Sequence, residues 1–74
     1  MKLWILTQNI NSGYDTYDSA VVAAKSEEEA RNIEVGSTGE YGTWAKPEHV
    51  RVEYLGEARD KHPFGVVCAS FNAG

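Results

Sequence analysis

With one cysteine, Cys68, in 74 residues, no internal disulfide can form, and no Cys/His spacing of the kind that holds zinc accompanies it. A chain this short buries only about 60% of the surface that its unfolded form exposes, so small domains often lean on such staples. Association between chains is the stabiliser left open. Basic residues are also scarce, seven against eleven Asp and Glu, for a net charge of −4. They form no cluster, so the electrostatic footprint of duplex DNA binding is missing. The N-terminal apolar run, Leu3-Trp4-Ile5-Leu6, is shorter than a signal-peptide core of about 7–15 residues. No stretch approaches the roughly 20 apolar residues of a membrane span. These absences predict a single domain over residues 1–74, cytoplasmic, with no membrane segment and no direct duplex DNA contact.

Catalytic signatures are equally sparse. The run Gly36-Ser37-Thr38-Gly39-Glu40-Tyr41-Gly42 spaces glycines every three residues, but it lacks the Lys-Ser/Thr ending of a P-loop, and a strand rather than a helix follows. No glycosidase pair, nucleophile elbow or zincin motif is present. Cys68 has no His or Lys near it in sequence, so it reads as a buried structural thiol. His49, Asp60 and His62 show no metal-ligand spacing. The expectation is a protein that is not an enzyme and needs no cofactor or metal.

What the chain does have is apolar residues at both parities of its strands. Leu3 and Ile5 alternate with Trp4 and Leu6, Val22 with Val21 and Ala23, and Val66 and Cys68 with Val67, Ala69 and Phe71. Strand side chains point to opposite faces with period two, so these strands are apolar above and below. Strands are predicted at residues 2–8, 17–25, 48–58 and 65–71, separated by turn formers such as Asn9-Ile10-Asn11-Ser12-Gly13. One helix starts at Ser26-Glu27-Glu28-Glu29, a capping box with three carboxylates at the positive end of the dipole. Ala30 and Ile33 form its apolar stripe, Arg31 and Asn32 face out, and Gly36 ends it.

The pattern predicts an α+β fold, β-β-α-β-β, with a mainly antiparallel four-stranded sheet and one short helix on one face. Pairing Ala58 with Gly65 in a hairpin of strands three and four puts Val52, Tyr54, Ala69 and Phe71 on one face. Leu55, Cys68, Glu53, Ser70 and Arg51 then share the other. Strand order 2-1-3-4 follows if strand three returns beside strand one, with 2-1-4-3 as the alternative.

One helix can cover only one face. If it takes the side of Leu3, Ile5, Val52, Tyr54 and Phe71, the opposite face exposes Trp4, Leu6, Leu55, Val66 and Cys68. That set is the expected interface of a homodimer or higher homo-oligomer. The loop over residues 36–47 adds Tyr41 and Trp44, large rings of the kind favoured at binding hot spots, or else a lid over the sheet. Tyr14 and Tyr17, in Gly13-Tyr14-Asp15-Thr16-Tyr17-Asp18, are candidates for stacking on a ring ligand; the plainer reading is a turn leading into a strand. Tyr14, Tyr17, Tyr41, Trp44 and Arg51 are together the candidate binding residues, since stacking plus an Arg suits an anionic ring.

The segments YDTYDSAVVAAKSEEEARNI and GVVCASFNAG resemble small accessory proteins of phages and prophages. The resemblance carries no catalytic residues. It implies an anti-defence role: a non-enzymatic viral protein acting as an inhibitor that occupies a bacterial defence protein. The alternative is an oligomeric sponge that sequesters a cyclic nucleotide immune signal. A small hydrolase is a third class, for which no nucleophile–base pair is visible.

Overall fold

The computed structural model describes residues 1–10, 16–36 and 44–72. Its elements are β1 (Lys2–Thr7), β2 (Thr16–Ala24), α1 (Glu27–Arg31), a single 3-10 turn (Pro47–His49), β3 (Arg51–Glu57) and β4 (Gly65–Asn72). The four strands form one antiparallel sheet in the order β3-β1-β2-β4. The expected α+β architecture with a single short helix is therefore present.

The strand order corrects the expectation. β1 does lie between β2 and β3, but β4 pairs with β2 and not with β3. The Ala58–Gly65 hairpin does not form. Residues 58–64 instead run across the end of the sheet, held by the Ala58 amide on the Met1 carbonyl (2.9 Å) and by a turn closed from the His62 amide to the Arg59 carbonyl (3.0 Å). Three strand spacings amount to about 14 Å, well within the more than 20 Å that such a segment can reach. A connection that reads as a hairpin turn is long enough to change edges.

Helix α1 starts where the capping box sets it. The Glu29 amide donates to Ser26 Oγ at 3.2 Å, while the returning Glu29 carboxylate accepts from the Lys25 amide at 3.1 Å, one residue earlier than the ideal box. The helix ends at Arg31, with Asn32 as its C-cap, before Gly36. Five residues cannot hold a helix alone in water; this one is docked. Ala30 is buried, and Arg31, expected to face out, is half-buried. Its guanidinium donates to the carbonyls of Val50 and Pro47 and pairs with Glu27. One side chain thus ties the helix to the turn that leads into β3.

The core lies between α1 and one face of the sheet. It holds Trp4, Leu6, Ala20, Val22, Ala24, Ala30, Val35, Ala45 and Val50, with Tyr17, Ile33, Trp44 and Val52 packed against it. Leu6, Val22 and Val35 are fully buried, each contributing roughly 1.5–3 kcal/mol. The Trp4 indole N–H donates to the Ala24 carbonyl at 3.1 Å, which satisfies the one polar atom that this ring brings into the core. The assignment of faces on β1 is therefore the reverse of the expected one: Trp4 and Leu6 lie beneath the helix, while Leu3 and Ile5 are on the other side. The small residues Ala20 and Ala24 flank Val22 on that face and leave room for the indole and the helix.

Candidate functional site

The sheet registers define the open face row by row. At one end Arg51, Thr7, Ser19 and Ser70 stand side by side; next come Glu53, Ile5, Val21 and Cys68; then Gly56, Leu3, Ala23 and Gly65. Ile5, Val21 and Leu3 are half-buried, Ala23 is fully buried, and Cys68 is exposed. Two bulges add apolar surface on the edge strands, at Leu55 beside Gly56 and at Val67 beside Cys68, with 50% and 45% of these residues exposed. Among the described residues no helix or strand lies over this face. Its chemistry is an apolar centre with a hydroxyl and arginine border at one end and Glu53 at one side.

The sequence-derived candidates do not come together here. Tyr17 and Trp44 pack against the core on the helix side. Tyr17 also closes over Gly36, whose φ is 82° and where a Cβ would collide with the tyrosine ring. Arg51 is exposed and sits opposite Thr7, in a row of the open face. Tyr14 and Tyr41 lie outside the described residues. A single-chain site made of Tyr17, Trp44 and Arg51 is therefore split across the sheet, and Trp44 behaves as part of the cover over the core.

The expected interface set also divides. Trp4 and Leu6 are buried within the chain, at 9% and 0% exposure, because the helix takes their face. Leu55, Val66 and Cys68 are exposed. Val66 pairs with Val22 and so belongs to the helix side of the sheet, beyond the reach of the short helix. Cys68, expected to be buried, is a bare thiol on an edge strand. The sequence reading placed Leu3 and Ile5 under the helix, and the structure places them at the centre of the open face. The need of a tryptophan N–H for a carbonyl partner was the one available signal that Trp4 belongs with the covered side.

At the rim of the helix side, Tyr54 meets Trp4 edge-on, with ring centroids 5.4 Å apart. Its hydroxyl donates to Glu57 at 2.6 Å. That hydrogen bond, with some desolvation and the carboxylate charge, raises the phenol above its ordinary pKa. An open cleft of about 640 Å³ is lined by Met1, Lys25, Glu29, Ile33 and Phe64 among others. Its mixed lining is partly engaged already, since Glu29 holds the Lys25 amide. Among the described residues no cluster of His, Cys, Asp or Glu could hold a metal ion, and no helix is long and apolar enough to cross a membrane. No protein-family model, curated protein or solved structure matches the chain.

Proposed function

We propose that this chain is a non-catalytic binding protein that acts by occupying a protein partner through its open sheet face. The observation that supports this reading is the face itself, with Leu3, Ile5 and Val21 at its centre, Leu55 and Cys68 bare beside them, and no described element above. Contiguous apolar surface bordered by polar residues is characteristic of interaction sites. Arg51 and Glu53, two positions apart on β3, offer one basic and one acidic contact at one side, which sets the orientation of a partner more than its affinity. The resemblance to small phage proteins supplies the partner class: a bacterial defence protein in the host cytoplasm, inhibited by being covered.

The test is expression of the chain in bacterial strains that each carry one defence system, scored by phage plating. Wild type should restore plating on at least one strain, and Leu55→Asp should lose that effect while remaining folded. Incubating the purified protein with a panel of cyclic nucleotides, then releasing by heat, separates the other classes. Stoichiometric recovery of intact nucleotide would replace the binding reading with a sponge, and conversion would replace it with an enzyme.

A further inference from the structure

We propose that β4 is an assembly edge, at which a second copy of this chain adds its own β4 antiparallel across a twofold axis. The two outer strands of the sheet are built differently. β3 carries Arg51, Glu53 and Glu57 among its seven residues, whereas β4, Gly65 to Asn72, has no charged residue and no proline among its eight. An edge strand presents unpaired backbone N–H and C=O groups, and soluble proteins commonly guard such edges with charges or proline. β3 is guarded in this way. β4 has the composition of an interior strand and occupies an outer position, with Val66, Val67, Cys68, Ala69 and Ser70 all exposed. Its own bulge lies near its start, at Val66–Val67, and leaves 68–72 without an inserted residue on the β4 side.

A second copy is the occupant that uses this edge up. If β4 joined the β3 edge of another chain, each addition would leave another β4 free and the assembly would grow into a filament. Pairing β4 with β4 consumes both uncharged edges and turns only charged β3 edges outward, in the order β3-β1-β2-β4-β4-β2-β1-β3.

In an antiparallel pairing of this kind the twofold axis is normal to the sheet. Both helices then lie on one side, and both open faces join on the other. A single open face has a footprint of about 19 by 20 Å, roughly 400 Å², while a stable protein interface takes about 800 Å² from each partner. Two joined faces reach that size. The edge argument stands by itself, and only this area argument rests on the binding role proposed above.

The axis is placed within 68–70, the middle of the strand. Sedimentation of wild type at 100 μM should give twice the monomer mass. Ser70→Lys brings like charges together near the axis and should weaken the dimer at least tenfold, whereas Glu53→Gln on β3 should leave it unchanged. Single thiols at position 68 (wild type), position 69 (Ala69→Cys in a Cys68→Ser background) and position 70 (Ser70→Cys in the same background) test the geometry under mild oxidation. At least one should form a homodimeric disulfide in good yield, because strands paired at the axis bring Cα atoms within bonding range. A thiol at Glu53→Cys in the Cys68→Ser background should not. A monomeric wild type, a Ser70→Lys dimer of full strength, or preferential cross-linking through position 53 would each overturn the proposal. If Ser70→Lys fails to fold, the thiol scan decides. Sedimentation reads the dimer and phage plating reads the binding role, so either can fail without the other.

Discussion

Val21 and Val22 are adjacent, identical in type, and on opposite faces of the same strand. Val22 is fully buried beneath α1, between Trp4 on β1 and Val66 on β4; Val21 lies half-buried between Ile5 and Cys68 with nothing described above it. Their difference shows that hydrophobicity did not choose the covered face, because both parities are apolar. The choice follows from what else each face carries. On the covered side Ala20 and Ala24 make space, Trp4 finds the Ala24 carbonyl, and Arg31 anchors the helix to Val50. On the other side Ala23 is small and buried as well, but among the described residues no helix is anchored there.

The largest expected effect is a direct contrast of the two valines. Val22→Ala should cost about 2–3 kcal/mol, since it removes fully buried methyl groups and leaves a cavity. Val21→Ala should cost less than about 1 kcal/mol, a difference visible as 4–8 °C in Tm per kcal/mol for a domain of about this size. Equal losses would mean that the two faces are equally covered. Next in size is Gly36→Ala, which places a side chain at φ 82° against Tyr17 on the covered side. It should destabilise by about 2 kcal/mol in chemical denaturation.

The cap that positions the covering helix ranks third. Ser26→Ala should cost about 1 kcal/mol by the same assay, because the Glu29 amide loses its acceptor. The smallest effect lies at the border of the covered face. Tyr54 has a raised phenol pKa, so the folded state favours the protonated hydroxyl. Its contribution to stability is present below the unfolded phenol value and is lost as pH rises through the folded one. In an ultraviolet titration, Glu57→Gln should bring one tyrosine transition down toward the ordinary value and leave the others in place.

Much of the architecture was legible from residues alone. The Ser26–Glu29 cap, the four strands and the adjacency of β1 with β2 and β3 follow from local chemistry that the structure preserves. The division of β3 and β4 into faces held in part, with Val52, Tyr54 and Ala69 on one side and Glu53, Ser70 and Arg51 on the other, although the bulge in β4 carries Val66 to the helix side and the two strands lie at opposite edges. What could not be read is long-range. Period two separates two faces but does not rank them when Leu3 and Ile5 are as apolar as Trp4 and Leu6. The order 2-1-3-4 put strand four at an edge, where it is, but beside the wrong strand, because an apolar strand does not name its neighbour. Cys68 was misplaced because an apolar strand implies burial only if something covers it. Tyr17 and Trp44 looked like ligand groups because aromatic rings serve cores and binding sites alike, and only packing shows which role each has.

The central claim is that one face of the sheet is core and the other is free to be occupied. Thermal unfolding of Leu6→Lys and Ile5→Lys, adjacent substitutions on opposite faces of the central strand β1, tests it most directly. The account predicts that Leu6→Lys fails to fold, whereas Ile5→Lys keeps a cooperative transition within about 10 °C of wild type, because its ammonium reaches water. Loss of folding in both variants would show that the chain seals the second face itself, and would contradict the account.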